Sequence, residues 1–164
     1  MSNLYRQKLL KEVIDTYHNK KPVQVINFEE FNNDWLSLHF NLKKMGDPEY
    51  VLFGSVYLSR TRARTLKNLI ALYGDLNIAM SDIVTLGDLQ LVVGNLDASK
   101  SKLNDLGDLR IVTNDLILTD TTVNSLDNVQ HIGGNLYIRN CPILQYTSVD
   151  EIRKNIYIKG EIKY

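Results

Sequence analysis

Three consecutive blocks of twenty residues decide the fold. Residues 74–93 read GDLNIAMSDIVTLGDLQLVV, 94–113 read GNLDASKSKLNDLGDLRIVT and 114–133 read NDLILTDTTVNSLDNVQHIG. Written under one another, they align without a gap. Gly74, Gly94 and Asn114 open the blocks, and an apolar pair follows two and four places on: Leu76/Ile78, Leu96/Ala98 and Leu116/Leu118. Working outward, Gly54 with Val56/Leu58 and Gly134 with Leu136/Ile138 keep the phase. Lys154 with Ile156/Ile158 and Asp34 with Leu36/Leu38 extend it, giving seven rungs without an insertion.

Other columns repeat with the same period. Asn41, Thr61, Ser81, Ser101, Thr121 and Cys141 are small or polar, and Leu66, Leu86, Leu106, Leu126 and Tyr146 form an apolar column. An apolar residue at every second place is a short strand with one buried face. The remaining apolar positions recur every two or three residues, so the chain keeps turning with one side inward. Gly-Asp, Gly-Asn and Asn-Asp supply turn chemistry at the corners. One such coil cannot bury its own apolar face, but a stack of them can. The expected fold is mainly β, a single-stack β-solenoid over 34–164 of about six coils and a partial last one. Strands about 4.8 Å apart give seven rungs a length of about 29 Å. Whether Leu91 or Val92 faces the core stays open, since both are apolar.

The strand phrases resemble the leucine-rich repeat. Leu36-Ser37-Leu38-His39-Phe40-Asn41 and Leu136-Tyr137-Ile138-Arg139-Asn140-Cys141-Pro142-Ile143 match its L-x-L-x-x-N/C-x-L signature. Ile132-Gly133-Gly134-Asn135-Leu136-Tyr137-Ile138 also looks like the coil motif of receptor L domains. The likeness covers roughly residues 34–160. Thr or Ser stands at most positions where the pattern carries Asn, and the disulfides of receptor ectodomains are missing. The resemblance implies a solenoid fold, and such solenoids serve many partners.

The two ends read differently. Leu10, Val13, Ile14 and Tyr17 fall on one face of a helix over 3–18, with Asn19-Lys20-Lys21-Pro22 ending it. Val23-Gln24-Val25-Ile26 reads as a short strand. Residues 1–33 are therefore expected to form an α-helical N-terminal cap over the open end of the stack. At the other end no cap is evident. Ile156, Ile158 and Ile162 are expected near an exposed edge, where pairing with a second copy would make a homodimer.

Composition narrows the function classes. The 164 residues are 44% hydrophobic and 23% charged, ordinary globular values. Nineteen basic and nineteen acidic side chains cancel, which argues against a nucleic-acid partner. No apolar run approaches a membrane span and the first residues lack a signal peptide's apolar stretch, so a cytoplasmic protein is expected. The single Cys141 excludes an internal disulfide and a cysteine-rich zinc site.

Two surfaces are candidate binding sites for a protein partner. The first is the outer strand face, with Tyr57, Asp97, Asp115, Ile117, Tyr137, Arg139 and Tyr157 in neighbouring exposed columns. Tyr and Arg are common interface anchors, and Tyr137 is expected to stack on Tyr157. The second is a basic turn of Arg60, Arg62, Arg64 and Lys67, in a coil without an acid. Residues 74–133 by contrast hold nine acids against Lys100, Lys102 and Arg110.

Catalytic arrangements are poor. His18, His39 and His131 lie in different parts of the chain, and no Gly-rich phosphate loop is present. Ser81, Ser101, Thr121 and Cys141 share an inward column and are expected to hydrogen-bond there. Asp97 and Asp115 on adjacent coils are the one paired-carboxylate arrangement that could cleave a polysaccharide. With twenty residues in every coil, no loop is left to wall a pocket. No cofactor or metal is expected. The reading that results is a non-enzymatic protein-interaction module, of the kind a small bacterial or phage-encoded inhibitor or adaptor would be. The alternatives are a carbohydrate-active enzyme using Asp97 and Asp115, and a structural subunit assembling end to end.

Overall fold

The computed structural model describes residues 23–27, 49–66 and 68–164. The helix expected over 3–18, the first coil at 34–48 and Lys67 lie outside the described residues. The chain winds as a β-solenoid whose coils each contribute to two parallel sheets. Sheet A runs β1 (Val23–Asn27), β2 (Glu49–Phe53), β4 (Leu69–Tyr73), β6 (Leu91–Val92), β8 (Ile111–Val112), β10 (His131–Ile132) and β12 (Tyr157–Ile158). Sheet B runs β3 (Val56–Tyr57), β5 (Leu76–Asn77), β7 (Leu96–Asp97), β9 (Leu116–Ile117), β11 (Leu136–Tyr137) and β13 (Ile162–Lys163). A third side is marked by the bridges of Thr65 to Thr85 and Thr85 to Asp105.

The twenty-residue period sets the register. Leu76 pairs with Val56, Leu96 with Leu76, Leu116 with Leu96 and Leu136 with Leu116. Backbone bonds follow the same step, as in Leu96 N–H to Asp115 O at 2.9 Å and Leu116 N–H to Asn135 O at 2.9 Å. Like residues therefore sit above like, and each inward column becomes a continuous apolar stack. Leu52, Leu72, Val92, Val112, Ile132 and Ile158 enter the core from sheet A. Val56, Leu76, Leu96, Leu116, Leu136 and Ile162 enter from sheet B. Val92 faces this core. Leu91 belongs to a second apolar cluster with Val51, Ile70, Ala71 and Val93. Val51, Ala71, Leu91 and Val93 alternate with the core residues Leu52, Leu72 and Val92 and so lie on the outer side of sheet A, while Ile70 sits at the register shift between β2 and β4.

One corner carries an unexpected backbone conformation. Arg60, Met80, Lys100, Asp120 and Asn140, each twenty residues apart, have φ of 60°, 55°, 56°, 59° and 58°. Side chains seldom adopt this left-handed region. No glycine marks the corner in the sequence, so local residue preference does not reveal it.

The last coil departs from the period. Tyr157 pairs with His131 and Ile162 with Leu136, both twenty-six residues apart. Gly160, not Lys154, occupies the rung above Gly134, and its N–H reaches Gly134 O at 2.9 Å. The described residues thus form four coils of twenty residues and one longer coil. The extra length holds a 3-10 turn at Pro142–Gln145 and helix α1 (Val149–Asn155). Ser148 caps α1, accepting the Glu151 N–H at 3.1 Å, with Asp150 and Glu151 in the first turn and Arg153 and Lys154 in the last. These are favourable ends for a helix dipole. β1 pairs with β2 through Val23 and Glu49, also twenty-six residues apart, so sheet A already begins inside the stretch expected as the cap.

At the C-terminal end the side chains of Ile156, Ile158 and Ile162 are buried in the main core. Ile158 lies in β12 and Ile162 in β13, the short strands that end sheets A and B among the described residues.

Candidate functional site

The strand face is largely used by the scaffold itself. Asp75 Oδ1 accepts the Asn95 N–H at 2.7 Å, Asn95 Oδ1 accepts the Asp115 N–H at 3.2 Å, and Asp115 Oδ1 accepts the Asn135 N–H at 2.7 Å. Ser55 Oγ opens this ladder by accepting the Asp75 N–H at 3.0 Å, and Asn135 Oδ1 closes it by accepting the Glu161 N–H at 2.9 Å. Each short polar side chain satisfies a backbone donor of the next rung, which would otherwise be left bare at the corner between the two sheets. Asp97 is engaged more locally. Its Oδ1 accepts the Ser99 N–H at 2.9 Å and the Ser99 hydroxyl at 2.7 Å. Asp97 and Asp115 therefore stand as turn and ladder residues, each with an oxygen committed to the backbone.

Nor does the face hold all its expected aromatics. Tyr157 is on sheet A, where its ring stacks on His131 with centroids 4.9 Å apart. The expected stack of Tyr137 on Tyr157 does not form. Above Tyr137 lies the Lys163 ammonium, 5.7 Å from the ring centroid. Tyr57, 65% exposed, stands at the opposite end of the sheet, and Ile117 is half-buried between them. Arg139 is exposed at the margin.

His131 has a titration consequence. Burial lowers its pKa below the usual 6.5, because the stack with Tyr157 removes water from the imidazolium. The folded protein therefore favours neutral imidazole more than the unfolded chain does. The contribution is complete above about pH 6.5 and is lost as pH falls through that value towards the lowered folded one. Thermal midpoints measured from pH 7.5 to 5 are expected to fall less steeply in His131→Phe than in wild type. Equal slopes would show that His131 is not coupled to folding.

The basic turn becomes a broader basic corner. Rungs align Arg60 with Met80 and Lys100, through Arg60 N–H to Ala79 O at 3.1 Å and Met80 N–H to Ser99 O at 2.9 Å. They likewise align Arg62 with Asp82 and Lys102, through Asp82 N–H to Thr61 O at 2.9 Å and Lys102 N–H to Ser81 O at 3.1 Å. Arg60, Arg62, Arg64, Lys100 and Lys102 are all exposed. Asp82 lies between Arg62 and Lys102, whose Nζ is 2.7 Å from its Oδ1, and Asp120 stands on the rung beyond Lys100. The Lys102 hydrogen bond and charge, with smaller help from Arg64 and Arg62, hold the Asp82 carboxyl below the usual carboxylate range. Met80, 47% exposed, adds an apolar contact at the centre. The sequence reading missed Lys100 and Lys102 because they lie two coils away. The twenty-residue spacing from Arg60 and Arg62 carried the signal.

The column of Ser101, Thr121 and Cys141 is satisfied internally. Ser101 Oγ donates to Ala98 O at 2.7 Å and Thr121 Oγ1 to Leu118 O at 2.7 Å. The half-buried Cys141 thiol also donates to Leu118 O at 2.7 Å. Nothing in this column is aimed at a substrate. Among the described residues no three metal-ligating side chains converge, and no helix is long and apolar enough to cross a membrane.

The longer last coil also overturns the expectation that no pocket could be walled. Between the corner of residues 124–130 and α1 lies an open groove of about 710 Å³. Compared with known protein families, with curated proteins and with solved structures, the chain matches none.

Proposed function

We propose that this protein is a non-enzymatic binding module whose basic corner docks an acidic surface of a protein partner. The observation that carries the reading is the rung-by-rung convergence of Arg60, Arg62, Arg64, Lys100 and Lys102 on three successive coils, where Asp82 is already paired with Lys102. Such a cluster attracts an acidic partner and orients it before contact. The regular stack holds the five backbone positions at fixed spacing, so little main-chain entropy is lost on binding. Arg62 and Arg64 offer forked, planar donors suited to carboxylates. The resemblance of the repeat to leucine-rich repeats agrees with a role in binding. The engagement of Asp97 and Asp115 by the backbone weighs against the carbohydrate-cleaving alternative.

The test is quantitative capture from lysate of the source cell or its natural host. Wild type, Arg62→Glu/Arg64→Glu and Tyr137→Ala would be compared at low and high salt. The expected result is one captured protein, released by salt, reduced at least tenfold by the charge reversal and retained by Tyr137→Ala. Capture lost in Tyr137→Ala and kept in the charge reversal would move the site to the strand face. No captured protein with any of the three would overturn the binding-module reading.

A further inference from the structure

We infer a second binding site, for a neutral saccharide, in the groove between the corner of residues 124–130 and α1. The groove exists because the last coil is longer than the others, and it has no counterpart in the sequence period. Its volume of about 710 Å³ falls within the roughly 300–1,000 Å³ typical of small-molecule sites.

Its chemistry selects the ligand class. The floor is apolar, formed by the buried side chains of Leu126, Val129, Ile152 and Ile156. The walls carry the amides of Asn124, Gln130 and Asn155, all exposed and none hydrogen-bonded through its side chain to another described residue. Each amide offers a carbonyl acceptor and a two-proton donor side by side, the pairing that adjacent hydroxyls of a sugar ring require. Two acids also line the groove and are already oriented. Asp127 accepts a hydrogen bond from the Ser125 hydroxyl, and Glu151 Oε2 accepts one from Thr147 Oγ1 at 3.1 Å. Each retains a carboxylate oxygen able to accept a hydrogen bond from a ligand hydroxyl.

Tyr146 completes the set. It lines the groove at 71% exposure, with no stacking partner among the described residues. An aromatic face with a polar tip suits a ligand that is apolar on one side and hydroxylated at its edge. A pyranose ring has that form. The lining holds no Lys or Arg, so an anionic ligand would meet two carboxylates without a compensating cation. This chemistry is separate from the basic corner and does not depend on it.

The full chain would be applied to an array of neutral glycans. Binding would then be followed on the ¹⁵N-labelled protein by NMR titration with the strongest array ligand, and with tetralysine as a cationic control. The expected result is retention of a subset of glycans, with saturable shifts at Asn128, Gln130 and Asn155. Tyr146→Ala and Asn155→Ala alter exposed side chains and are expected to keep the fold, verified by unchanged thermal midpoints. Each should weaken glycan binding at least tenfold. An array without binding would overturn the proposal, as would binding that survives both substitutions. Shifts at these residues with tetralysine and none with a glycan would reassign the groove to a cationic peptide.

Discussion

Leu96→Ala is expected to destabilise the protein by about 3–5 kcal/mol, the range for emptying a buried leucine site that cannot collapse. Leu96 is fully buried at the middle of sheet B, paired with Leu76 on one side and Leu116 on the other. Its backbone is fixed above and below, through Leu76 N–H to Asn95 O at 2.8 Å and Leu96 N–H to Asp115 O at 2.9 Å. Neighbouring coils cannot close the gap without breaking those bonds, so most of the cavity persists. Ile162→Ala provides the contrast. Ile162 is on the final rung of sheet B, with a partner strand on one side only among the described residues. Terminal rungs of a quasi-one-dimensional stack relax more easily, and a loss of about 2 kcal/mol is expected there. Urea unfolding of both variants measures the difference. Equal losses at the two sites would show that the coils do not stack as a one-dimensional array.

Gly94→Ala is expected to cost about 3 kcal/mol, the upper part of the usual range for overpacking. A Cβ at position 94 would lie 2.4 Å from Gly74 O, 2.6 Å from Gly74 C and 2.7 Å from Asp75 Oδ1. Two of these atoms are backbone of the coil below. The third is the acceptor that holds the Asn95 N–H in the polar ladder. Relief of the clash therefore requires the rungs to separate or the ladder to break. At 2–4 °C per kcal/mol for a chain of this size, the thermal midpoint should fall by roughly 10 °C. Asn114→Gly is the control. Asn114 occupies the same column and accommodates its own Cβ there, exposed to solvent. Its replacement should cost less than about 1 kcal/mol, mainly through the freer unfolded chain. A Gly94→Ala midpoint within 2 °C of wild type, in a calorimetric scan, would refute the close approach of the two coils.

Legibility varied along the chain for physical reasons. From Gly54 to Gly133 every coil buries the same columns, and the twenty-residue period translates directly into the pairings of Val56, Leu76, Leu96 and Leu116. After Gly134 the apolar pattern is ambiguous. Ile156 and Ile158 fit a continued twenty-residue phase, while Ile158 and Ile162 fit a coil six residues longer. The missed signal was local. Ser148-Val149-Asp150-Glu151 is a helix-capping sequence, followed by Arg153 and Lys154 in the last turn. Gly160 restores the corner that Lys154 was expected to make. In the longer coil Tyr157 falls on sheet A rather than on the strand face, and its ring stacks on His131.

The candidate sites were legible in part. Arg60, Arg62 and Arg64 stand out as a charge run, but their companions Lys100 and Lys102 become visible only when the coils are stacked. Asp97 and Asp115 look like free carboxylates in the sequence. Their hydrogen bonds to Ser99 and Asn135 depend on corner geometry that composition does not specify.

The sequence by itself determined the repeat, its period and its inward columns, because burial of one apolar face imposes a strict spacing on Leu, Ile and Val. It also determined the corners where Gly and Asp supply turn chemistry. Only the tertiary structure decided the left-handed corner of Arg60, Met80, Lys100, Asp120 and Asn140, where side-chain-bearing residues take φ of 55–60°. Backbone bonds between rungs, such as Lys100 N–H to Thr119 O at 3.0 Å, stabilise a conformation that local preference opposes. Only the tertiary structure decided which polar side chains bond the backbone of a neighbouring coil and which face solvent. That choice depends on the distance between residues twenty or twenty-six positions apart, and stacking sets this distance.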